Sequence, residues 1–195
     1  MRQAKINRNT KETQIFCEVN LDGTGQSDIK TGIGFFDHML EIFSNHSLVD
    51  LKMEAKGDIH VDFHHTIEDC GLSLAQAINK SLGEKKGIRR YGFFYVPMDD
   101  SLSRCVIDFS GRPELIWKVN IDHKKIGEIE TELFYEFFKA FVNESKCNLH
   151  IENFYGKNSH HIIESCFKSF SRSLKQAIEI DSRIVNIIPS SKGIL

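Results

Sequence analysis

The sequence predicts an α+β fold built from two similar halves, each a mixed β-sheet with helices packed on one face. Three observations predict it. The segment HHTIED at 64–69 returns as HHIIES at 160–165. Each copy opens a long stretch with helical spacing of apolar residues, and both stretches run to Gln-Ala-Ile, at 76–78 and 176–178. Each long stretch follows the same order of strands, a shorter helix and strands. A repeat of about half the chain is too long for a solenoid unit. The reading is therefore one domain over 1–195, internally duplicated, with approximate repeats 1–92 and 93–195.

Taken in order, TQIFCEVNL (13–21) alternates Ile15, Cys17, Val19 and Leu21 on one face, the period of a half-buried strand. DGTG (22–25) reads as a turn. It lacks the second aspartate a phosphatase loop needs. FFDHMLEIFSNHS (35–47) places Phe36, Met39, Leu40 and Phe43 at helical spacing after Gly32 and Gly34. LVDLKMEA (48–55) and DIHVDF (58–63) read as two strands, the second with His60, Asp62 and His64 on one side. A helix then spans about 65–82. The middle, 90–121, is strand-rich: YGFFYVPM, SRCVIDF and ELIWKVNI. The first order returns as a helix over 131–142, a strand over 148–156 and a helix over 160–178. The tail IPSSKGIL reads as a mobile segment. Without gaps, FFDHMLEIF (35–43) aligns with LFYEFFKAF (133–141) and sets His38 opposite Glu136.

Apolar residues make up 41% and charged residues 27%, with net charge −2, so the strongly basic balance of a nucleic-acid binder is absent. No apolar run is long enough to span a bilayer and no secretory signal follows Met1. Neither a membrane nor a nucleic-acid partner is expected. Five scattered cysteines without a CxxC motif read as reduced thiols of a cytoplasmic protein. Most of the 15 phenylalanines belong in the core. Nine histidines are the compositional oddity.

In each copy the two histidines and the glutamate sit at i, i+1 and i+4, and both His–Glu spacings share one helical face. A single His pair at a helix start is more often a solvated pair than a ligand set. Its repetition, with the equivalent pair His38 and Glu136, points to metal. The candidate ligands are His38, His64, His65 and Glu68 in one half, and Glu136, His160, His161 and Glu164 in the other. Mixed nitrogen and oxygen donors without thiolate favour Mn²⁺, Fe²⁺ or Zn²⁺. The Glu-x-x-His signature of di-iron bundles runs in the opposite order, and HExxH is absent.

Seven segments then carry a resemblance: RNTKET (8–13), TGIGFFDHML (31–40), DFHHTIEDCG (62–71), RRYG (89–92), SGRP (110–113), GKNSHHIIESCFKSF (156–170) and PSSKG (189–193). In this order they resemble the imidazoleglycerol-phosphate dehydratases of histidine biosynthesis, over nearly the whole chain. The resemblance implies a fold like domain 2 of ribosomal protein S5. It also implies dehydration of imidazole glycerol phosphate to imidazole acetol phosphate, with two Mn²⁺ ions binding the ring as imidazolate and helping expel the hydroxyl through a diazafulvene-like intermediate. Glu12 matches the family's acid/base glutamate. His46 is carried with it as a candidate catalytic residue, contacting substrate or capping the helix that ends near Asn45. Arg90, Arg112, Lys168, Ser190, Ser191 and Lys192 match positions that clamp the phosphate, a task suited to the arginine fork, and the tail is expected to close over substrate. Asp99 and Asp100 form either a further acid/base pair or a turn. His60 reads as a supporting residue beside the site, His150 sits on the corresponding strand of the second half, and His123 is expected to be exposed. Many relatives carry histidine where this chain has Glu136. No fused histidinol-phosphate phosphatase is expected. The family forms a cytoplasmic 24-subunit homo-oligomer with sites at subunit interfaces. The rival readings are a metal-storage assembly, which has no use for Glu12, Arg112 or Lys192, and a dinuclear phosphate-ester hydrolase, which needs bridging carboxylates.

Overall fold

A computed structural model describes residues 1–195 as ten strands and four helices. The first half contributes β1 (Gln3–Asn9), β2 (Thr13–Asn20), β3 (Ser27–Lys30), α1 (Gly34–Ser47), β4 (Asp50–Gly57) and α2 (His64–Leu82). The second contributes β5 (Tyr91–Met98), β6 (Ser101–Asp108), β7 (Glu114–Lys118), α3 (Leu133–Ser145), β10 (Asn148–Tyr155) and α4 (Ser159–Ile178). A small hairpin, β8 (Lys125–Ile126) and β9 (Ile129–Glu130), is inserted between β7 and α3.

The duplication holds to the level of strand order. One sheet runs β1-β2-β4-β3 and the other β5-β6-β10-β7. In both, the first two pairings are antiparallel and the last is parallel, β3 on β4 and β7 on β10. The fold is thus the α+β duplication expected, although the second unit begins at Tyr91, just ahead of the 92/93 boundary. Helices α1 and α2 lie on the first sheet, α3 and α4 on the second. Across the interior the partners exchange: α1 packs against α4, and α2 against α3. The four helices therefore form the middle of the molecule and the sheets its two outsides.

Phenylalanine fills that middle. Phe36 meets Phe137, Phe43 stacks on Phe170, and Phe138 touches Phe167 and Phe170, with ring centroids 5.0–5.7 Å apart. All of these rings are fully buried. Aromatic pairs at such separations add to simple area burial. Glycine allows the closest approach: a Cβ on Gly71 of α2 would sit 2.5 Å from the Phe137 carbonyl oxygen of α3.

The structure corrects the strand read over 58–63. Those residues form a turn closed by Val61 N–H donating to the Asp58 carbonyl. The alternation of Ile59, Val61 and Phe63 meets no neighbouring strand, because the β2–β4 ladder ends at Thr13 and Gly57. A period of two without a neighbouring ladder does not make a strand. Two strands absent from the sequence reading, β1 and the four-residue β3, occupy the two edges of the first sheet.

Candidate metal centre

Each histidine pair sits at the first turn of its helix, and local caps fix it there. Asn158 Oδ1 accepts from the backbone N–H groups of His160 and His161, at 2.9 and 3.4 Å. In the first half Asp62 Oδ1 accepts from His64 N–H at 2.8 Å. Both are residue types that satisfy open N–H groups at helix starts.

The first histidine of each pair faces its own glutamate one turn on. His160 Nε2 lies 3.0 Å from Glu164 Oε2, and His64 Nε2 lies 3.7 Å from Glu68 Oε2. The second histidine turns the other way. His65 Nδ1 lies 3.0 Å from Asp58 Oδ2, and His161 Nδ1 lies 2.6 Å from Asp100 Oδ1. A carboxylate only accepts, so in the neutral form of both rings Nδ1 carries the proton and Nε2 keeps its lone pair. That is the orientation in which carboxylates present histidine to a metal. Facing the two Nε2 atoms are Glu12, at 4.0 Å from His65, and Asp99, at 3.6 Å from His161. Glu12 lies in the β1–β2 turn and Asp99 in the β5–β6 turn, so the halves match here too.

One set closes within the chain. His38, His160 and Glu164 each offer a ligand atom, all within 4.8 Å of one another. His38 comes from α1 and the other two from α4, so the set joins opposite halves. The four candidates of each half therefore do not gather separately: His38 lies beside the second pair, because α1 packs on α4 rather than on α2. Glu136 sits on α3, the helix that packs on α2, and is partly buried. Phe35 braces the closed set edge-on, with its ring 4.8 Å from that of His160.

Electrostatics separate the two glutamates. Glu164 has a side chain only 9% exposed, whereas that of Glu68 is 46% exposed. Burial alone pushes the Glu164 carboxyl up, but the Lys168 ammonium, 2.7 Å from Oε1, and His160 outweigh it and hold it below its ordinary value. Asp100 is held well below the carboxylate range by His161 and by the backbone N–H groups of Lys157 and Asn158. His65 is raised above its ordinary value, chiefly by Asp58. His46, in the last turn of α1, is lowered by burial and then by Arg172 and Lys168, with Glu164 opposing.

The phosphate-clamp candidates fall in two places. Lys168 stays at the metal set, bonded to Glu164 and 3.1 Å from Met98 Sδ. Arg90 is elsewhere: its guanidinium pairs with Asp108 at 2.6 Å and donates to the Pro189 carbonyl at 3.0 Å, next to Ser190. The tail runs as turns, with Ser190 N–H on the Ile188 carbonyl and Lys192 N–H on Ser190 Oγ. Ser191 and Lys192 are exposed. Arg112 is exposed and donates to the Ser110 carbonyl; the adjacent Gly111 lies against Leu195 of the tail. Arg90, the 108–112 turn and the tail thus converge, apart from the histidines. His60 lies on the turn at 58–63, not on a strand face, and is exposed; His123 is exposed as expected.

Sequence reasoning missed Asp58 as the partner of His65. Its only signal was a turn-forming aspartate after Gly57, hidden inside a supposed strand. The five cysteines are free and buried, and burial pushes the thiol of Cys17 up to about 12. No helix is long and apolar enough to cross a membrane.

Comparison with known proteins agrees with this arrangement. Residues 31–174 match the family model described as imidazoleglycerol-phosphate dehydratase. The chain is 55% identical over 194 residues to the imidazoleglycerol-phosphate dehydratase of Hahella chejuensis, covering all of this chain and 98% of that protein. It is 54% identical to that of Phenylobacterium zucineum, covering all of this chain and 99% of the relative. The crystal structure of the Staphylococcus aureus enzyme superposes with TM-score 0.84 at 38% identity, over 92% of this chain and 99% of that one. The Pyrococcus furiosus enzyme, solved in complex with (S)-C348, gives TM-score 0.84 at 32% identity, over 97% of this chain and 100% of that one. The histidine pairs, their duplicated setting and these full-length matches lead to one conclusion: the chain belongs to the imidazoleglycerol-phosphate dehydratase family, the hydro-lyases of histidine biosynthesis.

Proposed function

We propose that the chain removes water from imidazole glycerol phosphate at a centre of two Mn²⁺ ions held by His38, His64, His65, Glu68, Glu136, His160, His161 and Glu164. The observation that carries the reading is the closure of His38, His160 and Glu164 within 4.8 Å by helices from opposite halves. The donors fit such an ion. Bonds of about 2.0–2.2 Å set donors on one ion roughly 2.8–4.4 Å apart, from neighbouring to opposite positions, and the His160–Glu164 and His64–Glu68 separations of 3.0 and 3.7 Å lie in that range. Imidazole and carboxylate without thiolate suit Mn²⁺. Bound ions supply Lewis acidity toward the substrate's ring nitrogens and departing hydroxyl.

The chain's own groups have separate tasks. Asp58 and Asp100 fix the tautomers of His65 and His161. Glu12, exposed and 4.0 Å from His65 Nε2, moves the proton at carbon. Asp99, its counterpart in the other half, is placed for the same kind of transfer. Lys168 neutralises Glu164 and keeps it ionised. His46 contacts substrate from the last turn of α1. Arg90, Arg112, Ser190, Ser191 and Lys192 grip the phosphate together with Lys168, and the tail's contact with Arg90 supports their joint action.

The assembly belongs to the same proposal. The histidines are partly exposed and the Arg90 cluster stands apart from them, which fits sites completed between subunits of a cytoplasmic 24-subunit homo-oligomer. The outer face of the second sheet supports association, since Tyr91, Phe93, Tyr95 and Phe154 are exposed there in one patch. Such a patch marks an interaction surface.

The test is direct. Purified protein is stripped of metal and given Mn²⁺ and imidazole glycerol phosphate. Loss of water without release of inorganic phosphate is expected. Phosphate release would favour a hydrolase, and full metal loading with no turnover would favour storage.

A further inference from the structure

The last turns of α2 and α3 and the turn at Gly111 line an open recess of about 460 Å³ outside the candidate metal centre. Lys80, Lys85 and Lys146 line it, with Gln76, Asn79 and Glu144. Lys85 is only 7% exposed. Its ammonium makes no hydrogen bond or ion pair; burial lowers its pKa, and only Cys147 acts against that. Lys80 and Lys146 are exposed, and neither forms an ion pair. The one side-chain carboxylate in the wall, Glu144, is already bonded to the Gln76 amide at 3.0 Å. The lining side chains therefore set three cations against one committed carboxylate.

Helix C-termini attract lysines, which accounts for exposed Lys80 and Lys146. It does not account for Lys85, whose side chain is covered while its ammonium, open to the recess, has no partner of its own. The backbone adds a second argument. Lys85 adopts φ +57, in the left-handed region where glycine or asparagine costs less. The side chain is kept there at a local cost, which suggests a task for it.

We propose that this cavity binds a small oxyanion of the phosphate or phosphomonoester class, with Lys85 as the buried cation and Lys80 and Lys146 as the outer two. The phosphate clamp of the proposed reaction uses other residues, although Gly111 and Leu195 of its neighbourhood form one wall. A monoester leaves its organic part at the open side, whereas inorganic phosphate fits among the ammonium groups alone.

Crystals of the full chain soaked in selenate, an anomalous-scattering oxyanion, test this. A peak within hydrogen-bond distance of Lys85 Nζ, lost in Lys85→Met, is expected. In solution, inorganic phosphate should raise the melting temperature of the protein and do so less for Lys85→Met. Removing a buried unpaired charge should itself leave Lys85→Met folded. If that variant folds poorly, the surface pair Lys80→Gln and Lys146→Gln together should weaken phosphate binding at least about tenfold, since each charged contact contributes substantially. Glycerol 3-phosphate in parallel separates the sources: tighter binding than inorganic phosphate assigns a monoester. Selenate found only beside Arg90 and Arg112, or phosphate stabilisation undiminished by both sets of variants, would overturn the site.

Discussion

At the scale of residues, the halves differ in how firmly each donor is held. Glu164 is buried and clamped by Lys168, while Glu68 is open to solvent. Glu164→Gln and Glu68→Gln should each weaken Mn²⁺ binding at least about tenfold, the scale seen when groups around a metal are removed. Titration with Mn²⁺ followed by electron paramagnetic resonance reads this directly, and unchanged binding in either variant removes that residue from the ligand set. Glu164→Gln should also lower stability, because it strands the Lys168 ammonium. A pH dependence follows from the Asp58–His65 pair. His65 is raised above its ordinary value of 6.5, mainly by the Asp58 carboxylate. In metal-free protein the pair's contribution is full below that ordinary value and is lost as pH rises through the raised one. The melting temperature of the wild type should therefore exceed that of Asp58→Asn by more at about pH 6 than at about pH 8. A gap that stays constant or widens with pH contradicts the pairing.

At the scale of elements, legibility followed sequence separation. The helices were readable because their apolar spacing is local: Ile67, Cys70, Leu74 and Ile78 mark one face of α2 without reference to any other segment. The duplicated His-His pairs were readable for the same reason. The strand read over 58–63 failed because a strand needs a partner, and the last backbone bond toward the first sheet is that of Asp58 N–H to the Glu12 carbonyl. β1 and β3 were missed because a mixed polar stretch and a four-residue segment carry little periodicity. Which helix pairs with which was not legible at all. His38 could be placed on a helix from spacing, but its place beside His160 depends on how α1 crosses α4. The α2–α3 crossing offers a test. Gly71→Ala would bring a Cβ 2.5 Å from the Phe137 carbonyl oxygen and should cost about 1–3 kcal/mol in urea unfolding, as overpacking does. Gly34, where an added methyl would meet nothing within 4 Å, is the control whose change to alanine should cost nothing.

At the scale of the whole molecule, the two sheets share a topology but present different outsides. The first is covered by ion pairs such as Lys5–Glu18 and Lys52–Glu54. The second shows Tyr91, Phe93, Tyr95 and Phe154, with Tyr95 stacked on Phe154 at 5.6 Å and Arg104 over Phe154 at 5.3 Å. Arginine beside aromatic rings is typical of contact surfaces. Phe93→Asp with Tyr95→Asp should lower the particle mass measured by sedimentation velocity, and a mass unchanged from wild type rules this face out as the contact.

The exchange of helix partners also bears on the order of events during synthesis. His38 leaves the ribosome early, but its companions His160 and Glu164 lie on the final helix. A nascent chain therefore presents loose histidines for most of its translation and gathers the candidate ion-binding set only when α4 docks on α1. Contacts between such distant segments form late in folding. Closure of that set thus reports that synthesis has passed α4 and that α4 has docked, and truncation anywhere before α4 leaves it unmade.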